Sequence, residues 1–138
     1  MKTKFENFLK SDAIGYNIGD YIYHVTPDKN IKKIKKEGFI PKDGTSINGK
    51  KFKNRLYFAT SLIAAYDLSI NFSSYREDND KYVIFKIDSK CLKDYQKDPL
   101  FVHGIYIDYN ISSKFIVDDI DANSLFNKYD EDDLEDLY

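Results

Sequence analysis

The chain is poor in the residues that build covalent or metal frameworks. Its 138 residues include one cysteine, one methionine, three prolines, six glycines, two histidines and no tryptophan. A lone Cys91 excludes an internal disulfide, and no Cys/His group has metal-ligand spacing, so no metal is expected. Cys91 stands beside Leu92 just past a strand-like run and reads as a small core residue. No apolar run reaches membrane-spanning length, and residues 1–10 lack the apolar stretch of a signal peptide. A soluble, cytoplasmic protein that engages no membrane is the expectation. Also missing are a Gly-rich phosphate cradle of the P-loop or Rossmann type and paired carboxylates of the glycosidase type. Arg55 and Arg76 are the only arginines.

What the chain does have is tyrosine and phenylalanine, 12 and 10 of them, within an apolar content of 42%. That is ample for a core, and aromatics of this kind favour strands. The length suits one domain. Net charge is −2, but its distribution is uneven. Residues 29–55 carry ten Lys/Arg against Glu37 and Asp43, and residues 118–138 carry nine acids against Lys128. Such a chain either brings its ends together, uses the basic stretch to meet phosphate, or simply solvates two surfaces. The acidic end, from Asp130 to Tyr138, reads as a weak or fraying helix, as a segment for a basic partner, or as a lid on the basic stretch.

Along the chain, residues 4–10 suggest a short helix before Gly15 and Gly19. Residues 20–25 (DYIYHV) alternate as a core strand. Thr26-Pro27-Asp28 is a helix-start signal, with Thr26 as the cap. Ile31 and Ile34 then give the apolar stripe of a helix over about 28–37, stopped by Gly38. Residues 41–54 read as a Gly/Lys/Asn-rich loop, 55–59 (RLYFA) as a strand, and 60–69 as a helix capped by Thr60 or Ser61. Polar residues 71–81 read as loop. Residues 81–88 (KYVIFKID), 102–109 and 114–119 read as strands, with a turn at 97–100. Strands interleaved with a few short helices give an α+β single domain. Its divisions are an N-terminal segment 1–19, a core 20–117 and an acidic C-terminal segment 118–138.

Three segments stand in a telling order. The first is Tyr23-His24-Val25-Thr26 with a short helix ending at Gly38. The second is Leu56-Tyr57-Phe58-Ala59-Thr60, leading into a helix with Ala64-Ala65-Tyr66. The third is Gly104-Ile105-Tyr106-Ile107, followed by Asn110 to Ile116. This set resembles the histidine–tyrosine–glutamate branch of the ADP-ribosyltransferases, the branch of diphtheria-type toxins and poly(ADP-ribose) polymerases. It is equally similar to the RNA 2′-phosphotransferases, which share that fold.

The resemblance implies split mixed or antiparallel sheets and NAD as co-substrate. It places His24 on the adenine-side ribose and the backbone of Val25, with Thr26 beside it, at the nicotinamide amide. Many relatives have Gly where Val25 stands. Tyr57 would support the nicotinamide and Tyr66 would stack on it, since a flat π face suits an electron-poor ring. Arg55, with Lys50, Lys51 and Lys53, borders the cleft entry, where cations suit pyrophosphate or RNA. The branch carries a glutamate at the start of its fifth strand, to stabilise the cationic transition state. That register puts His103 or Gly104 there, with Asp108 roughly 13 Å further along at ~3.3 Å per residue. His103 is then either a general acid/base or a loop-end side chain in water. Asp108 is expected to face solvent.

The implied activity is ADP-ribosyl transfer to a macromolecular acceptor, protein or nucleic acid. Compactness adds, by analogy, a bacterial or phage effector such as a toxin or anti-defence factor. Two other readings stay open. One is an inactive interaction protein on the same scaffold that inhibits a nucleic-acid-handling partner; the other is phosphotransferase-like chemistry on RNA.

Overall fold

The computed structural model describes residues 18–45, 49–75 and 80–137. The helix expected at 4–10 lies outside the described residues, as does Arg76. The rest is α+β: a 7-stranded antiparallel sheet with short helices.

Strand β1 (Tyr21–Pro27) leads through a 3-10 turn, Asp28–Asn30, into helix α1 (Ile31–Glu37). Strand pairing thus runs through Thr26 and Pro27, where the sequence suggested a helix cap. Thr26 Oγ1 is instead accepting from the Asn30 side chain at 2.9 Å. Ile31 and Ile34 pack on the core as their spacing predicts. Gly38 ends the helix at φ 78°, its amide donating to the Ile34 carbonyl.

The stretch expected as a loop at 41–54 is mostly a hairpin, β2 (Lys42–Thr45) against β3 (Lys51–Ala59). Its polar composition hid the pairing, because one long arm belongs to the central sheet and needs no apolar pattern at its tip. The register slips by one residue between Lys42↔Arg55 and Gly44↔Phe52. Asn54 absorbs the extra residue at φ 53°, with its amide held by Asp43 Oδ1 at 2.8 Å. This is a β-bulge, and it re-aims the side chains before it.

Helix α2 (Leu62–Tyr75) follows, with the Ser61 hydroxyl accepting from the Ala64 amide. It runs past Ser69 into residues read as loop. Ser69, Ser73 and Ser74 bond back to carbonyls three or four residues earlier, which satisfies their hydroxyls within the helix. Strands β4 (Tyr82–Asp88), β5 (Gln96–Lys97), β6 (Gly104–Ile107) and β7 (Ile116–Asp121) complete the sheet, in the order β5-β6-β3-β1-β4-β7 with β2 beside β3. β7 crosses residue 117, so the sheet extends into the acidic segment. A final helix, α3 (Glu131–Glu135), starts on an Asp130/Asp133 capping box.

Period-two alternation sorts the core onto two sides. Val83, Phe85 and Ile87 of β4 join one cluster with Phe39, Phe58 and Cys91. Tyr82 and Ile84 join the other, under Ala64, Ala65 and Tyr66 of α2. Alanine at 64 and 65 lets the helix approach the sheet closely. Leu134 and Leu137 of the acidic end pack on this second cluster. The basic and acidic stretches meet across the fold in the 2.7 Å ion pair Lys35–Asp119.

Candidate functional site

The sheet is continuous by one residue pair at its centre. β1 pairs with β4 from Tyr21↔Asp88 to Pro27↔Tyr82, but with β3 only at Tyr23↔Ala59. Beyond that pair β1 stays with β4, and β3 stays with β6 through Tyr57↔Tyr106 and Leu56↔Ile107. The two strands part, and the backbone groups facing the gap need other partners. His24 supplies one. Its Nδ1 lies 2.8 Å from the Tyr57 carbonyl oxygen, standing in for the next rung of the ladder.

The chemistry of that bond fixes the imidazole. A carbonyl only accepts, so Nδ1 carries the proton. Burial pushes the pKa of His24 down to about 4, against the opposing pull of the Tyr57 carbonyl and with help from the nearby Lys42 charge. At neutral pH His24 is therefore uncharged and its Nε2 is a bare acceptor. The ring is held edge-on between Phe39 and Phe58, at centroid distances of 5.1 and 5.7 Å.

The gap opens into a cleft of about 550 Å³, within the usual range for small-molecule sites. By alternation His24 shares its side of β1 with core residue Ile22, and Tyr57 shares its side of β3 with Ala59 of the other cluster. They come from opposite faces, and both line the cleft because the strands separate between them. Val25, Thr26 and Arg55 line it as well. Arg55 donates to the Tyr57 hydroxyl at 3.0 Å and stacks over Tyr106 at 4.1 Å. That hydroxyl and the neighbouring tyrosines hold the guanidinium pKa above its ordinary value.

Two expected site residues lie elsewhere. Tyr66 is 6% exposed, packed in the second cluster with its ring 5.8 Å from Tyr129, and is not among the cleft-lining residues. Phe72, further along α2, lines the cleft instead. His103 is 3% exposed, so it is no loop-end side chain in water. Its Nε2 meets the Leu137 carbonyl at 2.8 Å, and its own carbonyl takes the Thr60 amide. It too is absent from the cleft lining. Asp108 is exposed, as alternation predicts.

The residues that sequence reasoning missed are Phe52, Phe72, Lys33 and Lys42, all of which line the cleft. For Phe72 the available signal was its i+4 spacing from Leu68 beyond the expected helix end. For Phe52 there was none, because only the bulge at Asn54 turns it toward Tyr57, at 5.1 Å between ring centroids. Among the described residues no group of three or more His, Cys, Asp or Glu is placed to hold a metal ion. No helix among them is long and apolar enough to cross a membrane.

No protein-family model matches the chain, and no curated protein matches it. Solved structures do match. One, EcPltA, superposes with a TM-score of 0.55 at 14% identity, covering 71% of this chain and 73% of that one. At that identity the likeness speaks for the fold: this chain and EcPltA share an architecture over most of their lengths.

Proposed function

We propose that the cleft between the parted strands binds NAD and that the protein is an ADP-ribosyltransferase-like enzyme acting on a macromolecular acceptor. One observation carries the reading. His24, neutral and locked by its Nδ1 bond to the Tyr57 carbonyl, lines a cleft also lined by Tyr57 and Arg55, and in this reading its unprotonated Nε2 is assigned to the ligand. An acceptor of that kind suits a ribose hydroxyl. Lys33, Lys42 and Arg55 suit the pyrophosphate, and Tyr57 or Phe72 offers a face to a flat ring. In the transfer, the C1′–nicotinamide bond breaks, nicotinamide leaves with the bonding pair, and an acceptor nucleophile forms the new bond to C1′. The nucleophile's proton passes to solvent or to a base on the acceptor. A compact cytosolic effector of bacterial or phage origin is the setting this reading suits.

A second reading rests on the start of β6. The resemblance would put the branch's acid at His103 or Gly104, and this chain has no acid at either; His103 is buried and bonded to the Leu137 carbonyl. A cleft that binds nucleotide without turnover, in an interaction protein, fits that substitution.

Thermal unfolding with and without NAD, together with nicotinamide release, tests both. At 100 times its dissociation constant NAD adds ~2.7 kcal/mol of stability. Stabilisation with turnover, both lost in His24→Ala and weakened in Tyr57→Phe, supports the enzyme. Stabilisation without turnover supports the second reading. Neither effect at millimolar NAD overturns the first.

A further inference from the structure

The bulge at Asn54 has a consequence beyond the cleft. It places Phe52, Arg55 and Tyr57 on one side of β3, and pairing with β6 adds Tyr106. Phe52 lies 5.1 Å from Tyr57, and Tyr57 lies 5.6 Å from Tyr106, between ring centroids. The Arg55 guanidinium covers Tyr106 at 4.1 Å and reaches within 6.0 Å of Phe52. None of the three rings is buried. Gly44 makes room for Phe52: a Cβ there would meet its ring at 2.5 Å.

Around this aromatic surface the hairpin is basic. Lys42, Lys50, Lys51 and Lys53 are exposed, and the acid among the hairpin's described residues, Asp43, is engaged by the Asn54 amide. Partly exposed rings, a stacked guanidinium and flanking lysines form the combination that holds single-stranded nucleic acid with little sequence preference. A purely solvated charged surface would not need a glycine to seat a phenylalanine at its centre.

We propose that the β2–β3 hairpin and β6 form a platform for single-stranded nucleic acid, with bases on Phe52 and the Arg55–Tyr106 stack and phosphates on Lys51 and Lys53. This deepens the reading of the cleft, on which its role rests, by making the acceptor a nucleic acid strand that crosses the cleft mouth.

Fluorescence anisotropy with a labelled 20-nucleotide oligouridine, with polyglutamate as competitor, tests the platform without NAD. Binding is expected to weaken with salt at a logarithmic slope of about −1.4 for the two phosphates neutralised by Lys51 and Lys53. Lys51→Glu/Lys53→Glu is expected to lose at least tenfold in affinity while the NAD-induced thermal shift is unchanged, since neither lysine lines the cleft. Phe52→Leu is expected to lose severalfold with the salt slope retained, the signature of stacking. Melting temperatures near wild type show that both variants fold. Oligouridine binding that ignores the lysine reversal, that polyglutamate displaces on an equal charge basis, or that Phe52→Leu leaves unchanged overturns the proposal. Oligouridine binding in a protein that NAD does not stabilise refutes the cleft reading and leaves the platform standing.

Discussion

His24 and Tyr57 are joined at the place where the sheet comes apart: the imidazole Nδ1 takes the carbonyl, 2.8 Å away, that β1 no longer reaches. One side chain therefore has a structural end at Nδ1 and, in the proposed reading, a ligand end at Nε2, and substitutions can separate them. His24→Ala orphans the carbonyl and empties the slot between Phe39 and Phe58, at a cost of about 2 kcal/mol. His24→Asn places an amide N–H near Nδ1 and should recover much of that stability. It has no counterpart of Nε2, so NAD-induced stabilisation should stay lost. Urea unfolding and thermal shift, measured on both variants, check the split. Recovery of NAD binding by asparagine would remove Nε2 from the site.

The same histidine should make stability depend on pH. Its pKa is about 4 folded against 6.5 unfolded, so between those values the unfolded chain binds the extra proton. Its contribution is complete above pH 6.5 and is lost progressively as pH falls to about 4, up to about 3 kcal/mol at ~1.4 kcal/mol per pKa step. The Asp98 carboxyl, raised by burial, acts in the opposite sense at lower pH. Comparing wild type with His24→Asn by urea unfolding from pH 7.5 to 4.5 cancels such common terms. The stability gap between them should narrow or reverse as pH falls. A constant gap would mean that the imidazole is not held neutral.

How far these features were legible in the sequence depends on how local their causes are. The alternation in residues 82–88 sorts Val83, Phe85 and Ile87 from Tyr82 and Ile84, and the two clusters follow it. Ile31, Ile34 and Gly38 announced helix α1 and its end, because capping and amphipathicity act within a turn or two. The hairpin was missed because its pairing depends on β3 being anchored in the sheet at its other end. That Tyr66 and His103 lie outside the cleft lining was not legible for a related reason. Residue type alone does not say which side of α2 faces the cleft, nor that a C-terminal carbonyl would arrive at His103. The parting of β1 from β3 left no sequence mark beyond His24 itself.

Cys91 should be chemically quiet in the folded protein. It is buried in the first cluster, and desolvation raises its pKa from an ordinary 9.0 to about 11. The thiolate fraction at pH 8 then falls by about a hundredfold, and access is limited besides. Alkylation by iodoacetamide, followed by mass spectrometry, should run at least tenfold slower folded than in urea. Equal rates would show that the segment carrying Cys91 opens readily.

Gly38 links the end of α1 to the histidine slot, and its substitution should be felt in both. At φ 78° a side chain is already strained, and a Cβ would lie 2.4 Å from the Ile111 carbonyl oxygen. That carbonyl cannot easily withdraw, because Phe39 and Ile111 exchange both backbone hydrogen bonds, at 2.8 and 3.0 Å. Gly38→Ala must therefore either distort the helix end or break the bridge, and a loss of at least about 2 kcal/mol is expected. Phe39 is the next residue and packs its ring against His24, so the distortion passes into the site. NAD-induced stabilisation, measured at a temperature where the variant remains folded, should weaken along with the melting temperature. An alanine variant as stable as wild type would mean that Phe39 is not held by the bridge. The slot around His24 would then owe its shape to Phe58 and the sheet alone.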